Sequence, residues 1–108
     1  MSRARSVADA GYRPDIPPHV AELIRRLPPG VKSSVRAAIR SLSIDPASGE
    51  PLKRELSGLW KYRVRRYRIV YAVDRAKKTL RIFAVGHRRS IYEALAQQVN
   101  IPVVKAQA

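Results

Sequence analysis

The sequence contains no cysteine, which excludes a disulfide framework, a thiolate metal site and a cysteine nucleophile. Its two histidines are too few for a metal site built from histidine alone. No uninterrupted apolar run approaches the roughly 18 residues that a membrane helix needs, and residues 1–16 lack the apolar stretch of a secretion signal. These absences predict a soluble, unprocessed, cytoplasmic protein with no cofactor and no membrane contact.

Acidic residues are also scarce, with 8 Asp and Glu against 22 Lys and Arg, for a net charge of +14. Residues 53–89 contain 13 of these basic residues and two acidic ones, so this segment alone carries 13 − 2 = +11. It also contains Trp60 and Phe83, which favours a folded region over a basic tail. Such a surface predicts a polyanionic partner, namely nucleic acid, the ribosome, an acidic protein or anionic lipid. A merely solvated charged face is the alternative.

Motifs for cofactor chemistry are missing. The five glycines are too scattered for a dinucleotide fingerprint or a P-loop, and neither H-E-x-x-H nor G-x-S-x-G occurs. The eight acidic residues include no close pair, which disfavours catalysis by paired carboxylates. A chain of 108 residues forms about one domain, too small for a core and a large enclosed cavity. Any chemistry is therefore expected on an open surface.

The first half of the chain has helical periodicity. Residues 1–11 show no period and are expected to form a flexible arm, and residues 12–16 to form a short strand. Apolar residues at helical spacing predict helices over 18–27 and about 31–43, separated by a Pro-Pro-Gly break. A short link between two helices favours an antiparallel hairpin.

From Leu59 onward the apolar period changes to two, which predicts strands near 60–64, 67–73 and 79–86 in an antiparallel meander. One face of the meander is expected to be core and the other cationic. An S-x-x-E capping box at 90–93 predicts a last helix that ends near 99. The fold class is therefore α+β, an antiparallel sheet with the helical hairpin packed on one face and a short C-terminal helix. Residues 12–99 are the expected domain and 100–108 a tail. The expected core aromatics are Trp60, Tyr67 and Tyr71.

Two runs of this sequence resemble a known family. They are PLKRELSGLWKYRVRRYRIVYAVD, with its leucine and glycine lead-in and its YRIVY strand, and LRIFAVGHRRSIY, with its Gly-His-Arg ending. In this order they resemble the RelE/ParE superfamily of bacterial toxins, and more closely its RelE branch, over roughly residues 12–93. The resemblance implies a RelE-like microbial RNase fold, a cognate antitoxin in a hetero-oligomer, and ribosome-dependent cleavage of mRNA in the A site without a metal.

The resemblance also implies a set of catalytic residues: Lys61, Arg63, Arg68, Arg88 and Tyr92. When a ribose 2′-hydroxyl attacks the adjacent phosphate, the site must accept a proton, neutralise a phosphorane and stabilise the leaving 5′ oxygen. We expect Lys61 to be the proton acceptor or a phosphate clamp, and Arg63 and Arg68 to clamp the transition state. Arg88 is expected near the leaving group, and Tyr92 to stack on or orient the base.

Further positively charged or titratable residues are expected to bind RNA: Lys53, Arg54, Arg65, Arg66 and His87. The general base stays open, because an arginine at position 63 replaces the lysine of some family members and guanidinium is a poor base. Lys61, Tyr92 and His87 are the candidates, although His87 can equally make a structural hydrogen bond at the rim. Arg68 can alternatively form an ordinary ion pair with Asp74 or Glu55.

Two other functions remain open. A ParE-like toxin would inhibit DNA gyrase by contact and need no catalytic residues, and a basic nucleic-acid-binding module would have no toxicity. The joint presence of Lys61, Arg63, Arg88 and Tyr92 favours the endoribonuclease. The expected partners are accordingly an antitoxin, mRNA and the ribosome.

Overall fold

The computed structural model describes residues 11–91, and within them the chain forms five strands and two α-helices. In chain order these are β1 (Arg13–Asp15), α1 (Pro18–Arg25), α2 (Pro29–Ile44), β2 (Glu50–Pro51), β3 (Trp60–Val64), β4 (Tyr67–Asp74) and β5 (Thr79–His87). Two short 3₁₀ turns, Pro46–Ser48 and Arg54–Leu56, lie on either side of β2.

Prolines set the helix boundaries. Each helix begins with a proline that follows another proline, since the fixed φ of proline suits the first helical turn and its missing N–H is not needed there. α2 therefore starts at Pro29, two residues before the predicted start. α1 ends at Arg25, two residues before its predicted end, because the residue that precedes Pro28 is disfavoured in helical conformation.

The five strands form one sheet in the order β1-β5-β4-β3-β2. The predicted meander of β3, β4 and β5 is confirmed as antiparallel, and so is the α+β architecture. β2 is an additional antiparallel edge strand, too short to show a period in the sequence. β1 pairs with β5 in parallel, so the sheet as a whole is mixed. The direction of β1 is not set by a hairpin, because both helices separate β1 from the strands that follow.

The main core lies between the helices and one face of the sheet. Val20, Val35 and Leu42 of the helices are fully buried against Ile69, Tyr71 and Ile82 of the strands. Trp60, Tyr62 and Val64 pack on the same core, as their alternation with basic residues predicts. Tyr71 reaches furthest: its hydroxyl donates a hydrogen bond to the carbonyl oxygen of Pro46 at 2.6 Å, and its ring stacks on Trp60 at 6.2 Å.

A second apolar cluster lies on the opposite face of the sheet. Leu59, Val70, Ala84 and Ile91 are buried there, and the segment that contains Leu52 and Leu56 packs over them. The expectation that this face is cationic is therefore wrong for its centre. β4 and β5 need apolar contacts on both sides because they are inner strands, and the cations occupy the β3 margin and the turns instead.

A β-bulge in β5 changes which side chains face the helices. Val70 pairs with Ala84 whereas Tyr71 pairs with Ile82, so Phe83 is an extra residue. Phe83 and Ala84 both contact the second cluster, and Val85 returns to the main core. His87 consequently lies on the helix face, where its ring meets the edge of Tyr67 at 5.7 Å between centroids.

Several predicted features lie outside the described residues. These are the N-terminal arm up to residue 10, the C-terminal helix beyond Ile91, Tyr92 and the tail over 100–108. In the part of the chain that the structure describes, no helix is both long and apolar enough to cross a membrane.

Because of Tyr71, we expect the free energy of unfolding to decrease as the pH rises in the alkaline range. Burial raises its pKa to about 12, above the ordinary value of 10.0. Between these two values the unfolded chain loses the tyrosine proton while the folded chain keeps it, so stability falls as pH rises through this window. At pH 8 we expect Tyr71→Phe to be about 1 kcal/mol less stable than the wild type, because the Pro46 carbonyl loses its donor.

Urea unfolding of both proteins at pH 8, 10 and 11 measures this dependence. The wild type should lose about 1 kcal/mol relative to Tyr71→Phe between pH 8 and pH 11, because the unfolded chain releases the tyrosine proton that the folded chain keeps. The comparison with the variant removes the contribution of the many lysines. A difference that stays constant with pH would contradict this account of Tyr71.

Candidate active site

A cleft of about 320 Å³ opens at the margin of the sheet where β2, β3 and β4 meet. Its lining residues are Ser48, Gly49, Glu50, Lys61, Tyr62, Arg63 and Arg68. Three of the five predicted catalytic residues, Lys61, Arg63 and Arg68, are therefore brought together. Strand alternation explains this placement, because Lys61 and Arg63 lie between residues that pack on the main core.

Arg63 and Arg68 lie directly opposite each other in the ladder between β3 and β4. Like charges at a directly opposed pair destabilise a sheet. Arg68 is partly stabilised by its own turn, since its Nη1 donates to the carbonyl oxygens of Tyr67 at 3.0 Å and Arg65 at 3.3 Å. The remaining repulsion makes this part of the cleft a favourable place for an anion.

Glu50 contributes a carboxylate to the cleft, and the sequence interpretation missed it. Glu50 pairs with Lys61 in the β2–β3 ladder, and its Oε1 lies 3.7 Å from Lys61 Nζ. The side chain is 77% exposed, so the carboxylate is accessible from the cleft. The position of Glu50 immediately before the PLKRELSG run could have indicated that it belongs to the site. A strand of two residues, however, is too short to show the alternation that would predict it.

Arg88 lies next to the cleft but does not line it. Its amide donates a 2.7 Å hydrogen bond to the carbonyl oxygen of Arg66, which places it beside the β3–β4 turn. Arg65 and Arg66 are exposed on that turn, and Arg65 has a positive φ of 57°. The turn and Arg88 therefore extend the cationic surface beyond Arg68.

The other predicted RNA-binding residues have different surroundings. Lys53 and Arg54 are exposed at the 3₁₀ turn after β2. His87 lies on the opposite face from Lys61, because the bulge in β5 reverses the alternation, and its Nδ1 accepts a hydrogen bond from the Arg89 amide at 3.3 Å. Its structural role at the rim is the interpretation that this geometry favours.

The alternative role of Arg68 as an ion-pair partner of Asp74 does not fit the structure. The Asp74 carboxylate accepts a hydrogen bond from the Lys77 amide at 3.0 Å and stabilises the β4–β5 turn. Asp74 lies at the far end of β4 from Arg68. The other suggested partner, Glu55, lies outside the side chains that the structure describes.

A second cationic surface follows α2, on the helix side of the sheet. Lys32, Arg36 and Arg40 are spaced four residues apart and line one shallow depression with Pro29 and Ser33. Like charges at this spacing repel each other along a helix. Among the described residues the ion pairs use only Glu22 and Glu50 as acids, so none of them neutralises this stripe.

The cleft combines groups that suit phosphoryl chemistry. Lysine and arginine side chains offer hydrogen-bond donors and no acceptor, whereas an ionised carboxylate offers only acceptors. Lys61, Arg63 and Arg68 can therefore bind a phosphate, and Glu50 can take a proton. Within residues 11–91, no group of three histidine or acidic side chains is placed to hold a metal ion.

Comparisons with known proteins agree on the family of this chain. A family model described as "ParE toxin of type II toxin-antitoxin system, parDE" matches residues 18–92. The toxin RelG of Mycobacterium tuberculosis is 38% identical over 71 residues, which are 64% of this chain and 82% of RelG.

Solved structures agree in fold. A chain of the RelBE2 toxin–antitoxin complex of Mycobacterium tuberculosis has a TM-score of 0.66 and 32% identity, and the match covers 72% of this chain and 99% of that one. A double arginine-to-alanine mutant of the Escherichia coli toxin RelE, in the free state, has a TM-score of 0.70 at 18% identity, with 85% and 97% covered. Together with the match over residues 18–92, these relatives show that the chain belongs to the RelE/ParE superfamily and is a toxin of a type II toxin–antitoxin system.

Proposed function

We propose that this toxin is a ribosome-dependent endoribonuclease that cleaves mRNA in the A site. The observation that carries the proposal is the cleft in which two opposed arginines, a lysine and a carboxylate converge. Three cations suit a phosphate that gains negative charge in the transition state, and the carboxylate suits the removal of a proton.

The reaction would proceed by attack of a ribose 2′-hydroxyl on the adjacent phosphate. Glu50 accepts the hydroxyl proton as the 2′ oxygen bonds to phosphorus, and the bond from phosphorus to the 5′ oxygen breaks. Lys61, Arg63 and Arg68 neutralise the phosphorane between these two events. Arg88 stabilises the negative charge on the leaving 5′ oxygen until that oxygen takes a proton from solvent, and the products are a 2′,3′-cyclic phosphate and a 5′-hydroxyl.

Glu50 replaces Lys61 as the proposed proton acceptor. Lys61 Nζ lies 3.7 Å from the Glu50 carboxylate, a contact that suits a charged ammonium acting as a donor. Lys61 is then a phosphate clamp, the second of the two roles expected from the sequence. Tyr92, which lies outside the described residues, keeps its proposed role of stacking on or orienting the base.

The partners follow from the same proposal. A chain of the similar RelBE2 structure is part of a toxin–antitoxin complex, which supports a cognate antitoxin bound to this chain in a hetero-oligomer. The net charge of +14 supports contacts with mRNA and ribosomal RNA, and a cytoplasmic location is proposed accordingly. The α2 stripe would contact RNA on the side of the protein away from the cleft.

A second candidate function is contact inhibition of DNA gyrase. The family model that matches residues 18–92 is that of the ParE toxin, and this observation favours the alternative. A toxin of that kind would use the cationic surface for binding and would tolerate loss of the proposed catalytic groups. The substitutions below therefore separate the two candidates.

We expect Glu50→Gln to lower the rate of mRNA cleavage about 10²-fold, because an amide cannot accept the 2′-hydroxyl proton. Primer extension in a translating extract that receives purified protein measures the cleavage. Glu22→Gln is the matched control, since Glu22 lies on α1 and pairs with Arg25 and Arg26. A rate within twofold of the wild type would remove Glu50 from the mechanism.

Arg88→Ala is expected to reduce cleavage by about 10²–10³-fold, the usual scale for one transition-state donor. Arg89→Ala, at the adjacent exposed position, is the control and should retain activity. Growth arrest by the Arg88→Ala protein, together with antitoxin binding, is measured in parallel. If the wild type cuts no mRNA and the Arg88→Ala protein still arrests growth, the result would support the gyrase candidate instead.

Substitution of Lys32, Arg36 and Arg40 by alanine should weaken ribosome binding and make it less sensitive to salt. Loss of three phosphate contacts lowers the slope of log affinity against log salt by about 2 to 3. Sedimentation with ribosomes between 50 and about 200 mM salt gives the slope. The matched control replaces Arg25 and Arg26, which already pair with Glu22. An unchanged slope would exclude the α2 stripe from RNA contact.

A further inference from the structure

Tyr71 connects the main core to one wall of the cleft. Its side chain is fully buried on the helix face of the sheet, yet its hydroxyl donates to the Pro46 carbonyl oxygen at 2.6 Å, 25 positions earlier in the chain. Pro46 begins the 3₁₀ turn that leads through Ser48 and Gly49 into the cleft wall. This hydrogen bond, together with one between the Tyr71 hydroxyl and the Gly49 backbone, attaches the turn to the central strand β4.

Gly49 makes the attachment tight. A Cβ atom at this position would clash with the Tyr71 hydroxyl oxygen and would lie only 2.6 Å from the Lys61 carbonyl oxygen. The φ of Gly49 is −86°, which other residues adopt freely, so the need for glycine here is steric. The chain at Gly49 is therefore enclosed between the Tyr71 hydroxyl and the backbone of β3.

Glu50 follows this enclosed glycine directly. Its side chain is 77% exposed, and its polar contact in the structure is the 3.7 Å approach to Lys61 Nζ. The position of the carboxylate consequently depends on where the backbone of β2 lies. Pairing with Lys61 and the tight packing at Gly49 fix the position of the β2 backbone. The hydrogen bond from Tyr71 to Pro46 fixes the position of the turn that precedes β2.

We infer that Tyr71 is a positioning residue that holds the Glu50 carboxylate in place for proton abstraction without itself reaching the cleft. The inference rests on the proposed endoribonuclease function. A displacement of about 1 Å in a reacting group can reduce a rate 10²-fold. Movement of the turn away from β3 would displace the Glu50 carboxylate and therefore lower the cleavage rate. Because burial raises the pKa of Tyr71 to about 12, its hydroxyl remains a donor throughout the range in which the toxin acts.

The test combines Tyr71→Phe with Glu50→Gln in a double-mutant cycle. In the wild-type background we expect Tyr71→Phe to lower the single-turnover cleavage rate about 10-fold at saturating ribosomes, with ribosome affinity unchanged. In the Glu50→Gln background the same substitution should have less than a twofold effect, because there is no carboxylate left to position. Equal losses in both backgrounds would mean a general structural role and would overturn the inference.

Gly49→Ala supplies an independent variant of the same contact. The added methyl group must displace the turn from Tyr71 or from the Lys61 carbonyl, so it should reproduce the rate loss and the dependence on Glu50. Gly30→Ala is the matched control, since the nearest atom to its Cβ is Arg65 Nη1 at 3.9 Å. Full activity of Gly49→Ala would overturn the inference.

Hydrogen exchange tests the attachment without relying on activity. The Ser48 amide donates to the Asp45 carbonyl and the Leu52 amide to the Leu59 carbonyl, so both report on the segment around Glu50. We expect at least about tenfold faster exchange at these amides in Tyr71→Phe, with exchange in the middle of α2 unchanged. Unaltered exchange at Ser48 would overturn the attachment itself. Absence of mRNA cleavage by the wild type would instead overturn the proposed function, and with it the role of Tyr71 in the reaction.

Discussion

Burial of β4 on both faces is the constraint on which the rest of the structure depends. Ile69, Val70 and Tyr71 are consecutive, point to alternate sides and are each fully buried. A chain with a net charge of +14 satisfies this by placing its cations at strand ends and turns, on the β3 margin and along the exposed face of α2. The same requirement places an apolar cluster under the 52–56 segment, on the face that the sequence pattern of β3 alone would make cationic.

The cleft owes its chemistry to this arrangement. Basic residues excluded from the centre of the sheet collect on β3, where the two-residue strand β2 covers only Trp60 and Lys61 on the outer side. Arg63 and Arg68 meet across the neighbouring β3–β4 ladder. Such a concentration of like charge is unfavourable for the folded toxin on its own. A bound phosphate would relieve it, and a single carboxylate among the cations would add the capacity to accept a proton. Stability and binding therefore make opposite demands on the same few residues.

The sequence predicted those parts of the fold that depend on local periodicity or on the family resemblance. Alternation in β3 predicted the core positions of Trp60, Tyr62 and Val64, and the resemblance brought Lys61, Arg63 and Arg68 into one site. Glu50 was missed because β2 is positioned by pairing with β3 and by the preceding turn that Tyr71 contacts. Neither contact produces a periodic pattern in the sequence. The orientation of His87 depends on a bulge, which arises from pairing between distant strands. The parallel pairing of β1 is non-local for the same reason.

Each margin of the sheet ends in a very short strand that contains a proline. β1 has three residues and includes Pro14, and β2 has two and includes Pro51. A proline has no amide hydrogen to offer another strand, and so short an edge presents few main-chain groups in total. Within residues 11–91, these two outermost strands therefore offer a second copy of the chain few main-chain groups to pair with.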